Sequence, residues 1–247
     1  MADVDIGHYR ISAMKQTLQA GLDRLGLALA PDRIDALCRF GAAVIEKNKV
    51  MNLTAITEPQ AVAELHLLDS LTLCKVLDLS GKSLLDVGTG AGFPGVPLKI
   101  AVPSLELTLL DSLQKRMRWL QDEALPALGI TAAVLAGRAE DYARPGEPGR
   151  EGFDVVSSRA VARLNVLCAL CLPFVRPGGY FLAMKGQDAA EELQQARRAI
   201  ETLGGRWERT ETFELGGQQH RVLVIRKVRQ TPPQYPRAYA KIKQKPL

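Results

Sequence analysis

Apolar residues recur at three- and four-residue intervals through the first eighty positions and then gather into short runs. Leu18, Leu22, Leu25 and Leu29 form one helical stripe, and Ile34, Leu37, Phe40, Ala43 and Val44 form a second. Pro31 and Asp32 stand where the second helix should start. A third helix is predicted over residues 60–77, with Asn52-Leu53-Thr54-Ala55-Ile56 as a connector. From Ser83 the rhythm changes. Apolar runs at residues 83–87, 106–110, 131–135, 154–157 and 180–184 alternate with longer helical patterns, such as 113–128 and 162–175. That alternation predicts an α/β fold, a parallel sheet with helices on both faces, because each crossover must return to the same sheet. Residues 207–214 and 221–226, joined by Gly216-Gly217, read as a closing antiparallel hairpin. The pattern divides the chain into a helical extension (1–80), an α/β domain (81–228) and a tail (229–247). Pro145-Gly146-Glu147-Pro148-Gly149 reads as a surface loop.

Composition adds one strong asymmetry. The chain has 247 residues, 47% hydrophobic and 24% charged, enough for a sizeable core. Its net charge is +5, yet residues 215–247 contain no acid and eight bases: Arg221, Arg226, Lys227, Arg229, Arg237, Lys241, Lys243 and Lys245. The remaining 24 bases face 27 acids, a net −3 over residues 1–214. A concentrated basic end suits a polyanionic partner, because neutralising phosphates releases condensed counterions. A solvated, solubilising tail is the plainer alternative. No run approaches the roughly 18 apolar residues of a membrane span. Met1-Ala2-Asp3-Val4-Asp5 lacks the apolar stretch of a secretory leader. With Cys38, Cys74, Cys168 and Cys171 scattered, no disulfide framework is expected, and a cytoplasmic protein is.

The candidate chemistry begins where the first strand ends. Leu84-Leu85-Asp86-Val87 opens directly into Gly88-Thr89-Gly90-Ala91-Gly92-Phe93-Pro94-Gly95. Glycines there let the backbone turn sharply and approach a ligand. Asp111 closes the second strand, 23 residues after Gly88, where a carboxylate can accept from both hydroxyls of an adenosine ribose. Gly90 to Gly95 matches the dinucleotide fingerprint G-x-G-x-x-G, but its first glycine falls two residues too late for the strand. Asp86 is also of no use to a pyrophosphate, whereas an ammonium group would gain from it, directly or through water. Register and paired acids therefore favour S-adenosylmethionine over NAD.

With the loop in place, the surrounding residues resemble the bacterial ribosomal RNA small subunit methyltransferase G family, also called glucose-inhibited division protein B. The resemblance runs from about Asn48 to Ile225. It is carried by Asn52-Leu53-Thr54, His66-Leu67-Leu68-Asp69-Ser70, the glycine loop, Leu110-Asp111-Ser112, Lys115-Arg116, Gly137-Arg138-Ala139-Glu140, Ser158-Arg159-Ala160 and Met184-Lys185-Gly186. It implies a Rossmann-like class I S-adenosylmethionine-dependent methyltransferase fold, with a mostly parallel seven-stranded sheet, an antiparallel last strand and an N-terminal helical extension. The implied activity is methylation of N7 of a guanosine in 16S rRNA near the decoding region. The implied cofactor is S-adenosyl-L-methionine, with S-adenosyl-L-homocysteine as product, and the implied partner is the small ribosomal subunit. The cofactor contacts expected from it are Gly88, Phe93, Ala139, Glu140 and Arg159. Asp86, Gly90, Gly92, Asp111 and Ser112 complete the expected cofactor set. The tail departs from the family pattern: Ala238-Tyr239-Ala240-Lys241-Ile242 stands where a Gly- and Pro-containing stretch is expected.

Guanine N7 is a neutral nitrogen with a free lone pair, so its methylation needs no general base. The fourth strand agrees, ending Val156-Ser157-Ser158-Arg159 without an Asn/Asp-Pro-Pro-aromatic motif or a cysteine. Alignment of the reacting atoms is then the expected catalytic device. N7 lies in the deep major groove of A-form RNA, so the target base must be unpaired or splayed outward. Arg159 and Lys185 are the candidates for acting at the reacting centre, Arg159 in the cofactor pocket and Lys185 on an RNA phosphate or simply facing solvent. Lys115, Arg116, Arg237, Lys241, Lys243 and Lys245 are further RNA candidates, for which a solvated surface is the alternative.

Other constellations are weaker. His66 and Asp69 share a helix face and form either a pocket wall or a helix-stabilising pair. Cys168 and Cys171 sit in an apolar run and read as core rather than zinc ligands, so no metal is expected. Trp119 should pack in the core, and the protein should be a monomer. Two rival functions remain: a non-catalytic rRNA-binding assembly factor, and an NAD-dependent oxidoreductase, which lacks a fingerprint in register.

Overall fold

The alternation of side chains along each strand decides which layer the flanking helices join. In β1 (Ser83–Val87), Leu84 faces one apolar cluster and Leu85 the other. The same parity holds in β4 (Phe153–Arg159), where Val155 opposes Val156, and in β5 (Val175–Lys185), where Leu182 opposes Phe181 and Ala183. In β7 (Gln218–Lys227), Val222 and Val224 oppose Leu223 and Ile225. With β2 (Glu106–Asp111), β3 (Ala133–Ala136) and β6 (Gly205–Leu215), the computed structural model forms one seven-stranded sheet of order β3-β2-β1-β4-β5-β7-β6. It describes residues 2–247, with side chains from Arg10 onward. Strands β1 to β5 are parallel, and β7 is antiparallel to both neighbours. This is the class I S-adenosylmethionine-dependent methyltransferase architecture that the resemblance implies.

One face carries α1 (Ala2–Leu25), α2 (Pro31–Met51), α3 (helical over residues 59–76), α4 (Gly95–Ala101) and α5 (helical over 114–127). The other carries α6 (Ala139–Tyr142), α7 (Leu164–Cys171), α8 (Ala189–Thr202) and α9 (Tyr239–Gln244). Met14, Leu18, Phe40 and Leu67 share one cluster with Leu84, Leu109 and Val155, so the helical extension is a layer of the common core. Trp119, Cys168 and Cys171 are buried in that core and its counterpart, as their apolar neighbours predict. Two π-helical turns, Ala63–Leu68 within α3 and Leu120–Ala124 within α5, are not legible in the periodicity. Among the described residues no helix is long and apolar enough to cross a membrane.

The basic end is folded onto the protein. Lys227 is fully buried, donating to the Leu172 and Val175 carbonyls and to Thr231 Oγ1, with Glu151 3.1 Å away. Burial pulls the Lys227 pKa down to about 8, against the opposing charge of Glu151. Arg150 donates to the Thr231 and Tyr235 carbonyls, at 2.6 and 2.7 Å. Ile242, in α9, is fully buried against the α7 side of the sheet.

Candidate active site

Strand order reverses at β1, whose neighbours are β2 and β4, and two cavities open at the carboxyl ends of these strands, where open α/β sheets bind ligands. They share Gly88, Arg116 and Ala160. The smaller, about 260 Å³, is lined by Asp111, Ser112, Ala139 and Glu140 among others. The larger, about 570 Å³, is lined by His66, Asp69, Phe93, Arg159, Lys185 and His220 among others.

Gly88 is the hinge between the cavities. Its φ is +72°, a left-handed conformation, and a Cβ there would lie 2.2 Å from Val161 Cγ2. Gly90 and Gly92 also have positive φ, and the Gly90 amide donates to Asp111 Oδ2 at 3.0 Å. The Leu113 amide holds the other oxygen at 2.9 Å, which fixes the Asp111 carboxylate at the rim of the smaller cavity. Ala160, at the end of β4, also has a positive φ, +55°, unusual for a residue with a Cβ, and it touches both cavities.

Asp86 corrects an expectation. Strand parity turns it toward the α4 side, where its carboxylate is fully buried and lines neither cavity. It accepts from Thr89 Oγ1 (2.7 Å), the Gly95 amide (3.0 Å) and Ser157 Oγ (3.1 Å). Burial raises its pKa to about 6, even against those hydrogen bonds. Asp86 therefore braces the glycine loop from within the core and has no face on either cavity.

The larger cavity has a charged, buried wall. Asp69 Oδ2 receives Arg159 at 2.8 Å, and Asp69 Oδ1 receives His220 Nδ1 at 2.9 Å. Arg159 also donates to the Leu65 carbonyl and to His66 Nδ1, at 3.1 Å each. Guanidinium can only donate, so His66 Nδ1 is the acceptor and its Nε2–H donates to Thr54 Oγ1 at 2.8 Å. Burial, reinforced by Arg159, lowers the His66 pKa to about 4 and keeps the ring neutral. Burial also works to raise the Asp69 pKa, but the His220 hydrogen bond and the Arg159 charge outweigh it and hold the carboxyl below its ordinary value. The hydrogen bond to Asp69 raises the His220 pKa. Phe93 closes the arrangement, stacked on His66 with centroids 4.7 Å apart and with the Arg159 guanidinium 5.2 Å from its centroid. Asn48 Oδ1 accepts from the Leu53 and Thr54 amides, which sets the connector and hence Thr54 against His66.

Residues 33–222 match the family described as rRNA small subunit methyltransferase G. Two proteins of that name, "Ribosomal RNA small subunit methyltransferase G", agree over nearly the full length. The one from Alkaliphilus oremlandii is 44% identical, covering 95% of this chain and 99% of its own. The one from Lachnoclostridium phytofermentans is 45% identical, covering 94% and 96%. This chain belongs to that family. Among solved structures, the O-methyltransferase TomG from Streptomyces achromogenes, in complex with SAM, shares the fold. Its TM-score is 0.55 at 18% identity, covering 85% of this chain and 96% of that one.

For this methyltransferase G family member, the predicted residues divide between the two cavities. Gly88, Gly90, Phe93, Asp111, Ser112, Ala139, Glu140 and Arg159 all line one or the other. Gly92 lies beneath, where a Cβ would meet Val96 and Phe40. Lys185 corrects a second expectation: its ammonium is paired with Glu192 at 2.7 Å, donates to the Ala162 carbonyl, and leaves the side chain 8% exposed. So engaged, it fixes the cavity wall instead of offering a free charge to phosphate. Arg116 donates to the Asn52 carbonyl and borders both cavities, closer to the site than a surface lysine would be. Arg237 donates to the Lys245 carbonyl at 2.9 Å, with its guanidinium 5.9 Å from the Tyr235 ring centroid. Lys115, Lys241, Lys243 and Lys245 are exposed. Sequence reasoning missed His220, whose partner lies 151 residues away, and Tyr239, which lines the smaller cavity.

Proposed function

We propose that this chain is an S-adenosylmethionine-dependent rRNA methyltransferase that modifies N7 of a guanosine in 16S rRNA. The observation that carries the reading is the pair of cavities meeting at Gly88, one faced by a carboxylate and the other by a buried arginine–aromatic wall. That pairing fits a ligand with a nucleoside at one end and an amino acid at the other. Asp111 would accept from the ribose hydroxyls, with Ala139 and Glu140 on the adenine side. Gly88, Gly90, Phe93 and Arg159 would hold the methionine end. When bound, S-adenosylmethionine supplies an electrophilic methyl group.

The residues on the target side support chemistry without a general base. His66 is neutral and has both ring nitrogens occupied, so it is poorly placed to take a proton. N7 presents a lone pair and loses no proton, so the wall has only to orient the base and exclude water. Asp69 and Arg159 perform that task by locking α3, β4 and β7 together at the cavity. The name carried by the relatives supports ribosomal RNA as the substrate class.

Thermal-shift measurements test the cofactor. Stabilisation by S-adenosylmethionine and S-adenosylhomocysteine, but not by NAD, is expected, and the reverse order would overturn the reading. Transfer of label from S-adenosylmethionine into small-subunit RNA tests the activity. Binding to that RNA without transfer would favour the assembly-factor alternative.

A further inference from the structure

We infer that the C-terminal strap, residues 228–247, completes the cofactor site, with Tyr239 as the outer wall of the adenine pocket. This rests on reading the smaller cavity as the adenosine end. Every other residue lining that cavity falls between Val87 and Leu170, within the α/β framework. Tyr239 alone comes from the end of the chain, beyond residue 222 where the family match stops.

Its position is built. Arg150 and Glu151 pin the start of the strap: Arg150 to the Thr231 and Tyr235 carbonyls, and Glu151 to the Thr231 amide at 2.7 Å. Ile242, three residues beyond Tyr239 and so on the same side of α9, is fully buried in the α7 layer. The Arg138 guanidinium, which also lines the cavity, lies over the Tyr239 ring, 4.9 Å from its centroid. The cavity's other apolar walls are Val87, Leu110, Val161 and Leu170, whereas Asp111, Ser112 and Glu140 are polar. A flat, aromatic base with polar edges suits this lining. The Tyr239 ring gives it a π surface, and the contact with Arg138 helps to hold that ring in place.

Calorimetric titration of the full chain with S-adenosylhomocysteine tests the assignment. Tyr239→Ala should weaken binding roughly ten- to one-hundred-fold, the range that loss of one aromatic stacking partner produces. Tyr239→Phe should restore affinity to within about twofold of wild type, because the ring face and not the hydroxyl is used. Ile242→Ser, which loosens the anchor without touching the cavity, should also weaken binding. Hydrogen exchange across residues 239–244 should slow when S-adenosylhomocysteine is added. Unchanged affinity in Tyr239→Ala, beside a clear loss in Asp111→Ala, would overturn the role of Tyr239 and leave the adenosine pocket standing. Unchanged affinity in both would overturn the pocket and the strap's role together. A loss in Tyr239→Phe equal to that in Tyr239→Ala would also contradict the stacking role.

Discussion

At the residue scale, the cluster around Asp69 joins three distant parts of the chain through two ionic hydrogen bonds. Removing one member of such a buried set leaves the others desolvated and unpaired. Asp69→Ala should therefore lower the unfolding free energy by about 3–5 kcal/mol, measurable by urea denaturation. A change below about 1 kcal/mol would mean the cluster is not buried as described. His220 adds a pH signature. Its pKa is higher in the folded protein than its ordinary 6.5, through the bond to Asp69. The unfolded state therefore loses the proton first, and stability is lost as pH rises through the folded pKa. The stability advantage of wild type over His220→Gln should be full below pH 6.5 and shrink above it. An advantage that grew with pH would reverse the proposed pairing. The cluster was only half legible in the sequence. His66 and Asp69 could be placed on one helix face, but His220 meets Asp69 only because β7 lies against β5 in the sheet.

At the scale of elements, the loop after β1 was the clearest feature in the sequence, and its internal logic was the part misread. Its glycines were legible because a strand ending in several glycines has few other uses. Asp86 reads in the sequence as a partner for a ligand ammonium group, but strand parity puts it on the same side as Leu84, turned into the core and not toward the cavity, where it braces the loop. Gly88→Ala tests the loop directly. A Cβ at positive φ and 2.2 Å from Val161 must displace one wall of the site. The variant should stay folded and lose at least tenfold in S-adenosylhomocysteine affinity; unimpaired binding would place the cofactor elsewhere. The π-helical turns that bring His66 and Leu120 to their positions had no sequence signal, since periodicity over so few residues cannot separate them from α-helix. The strap was the least legible element. Its bases suggest a polyanion-binding tail or a solvated one, and the structure folds it against the sheet through buried Ile242 and the Arg150 bonds to Thr231 and Tyr235.

At the scale of the molecule, a parallel sheet with a layer of helices on each face followed from the hydrophobic pattern, because strand parity and helical stripes both report burial, whereas the seven-stranded topology came from the family resemblance and the strand order from the structure. The charge asymmetry needed the structure. Of the eight C-terminal bases, Lys227 is buried inside the fold and Arg221, Arg229 and Arg237 donate to backbone carbonyls, while Lys241, Lys243 and Lys245 remain exposed. If those three meet phosphates, replacing Lys243 and Lys245 by Gln should make the dependence of log affinity on log salt shallower. Each lost phosphate contact contributes about 0.7–0.9 to that slope. An unchanged slope would assign these residues to solubility alone. The central claim, N7 methylation of a 16S rRNA guanosine, is tested most directly by the fate of one methyl group. Small subunits from cells lacking the protein are incubated with the purified chain and methyl-labelled S-adenosylmethionine, and the rRNA is digested to nucleosides. The label is predicted in 7-methylguanosine from a single site in 16S rRNA; label in any other nucleoside, or none in the rRNA, would contradict the account.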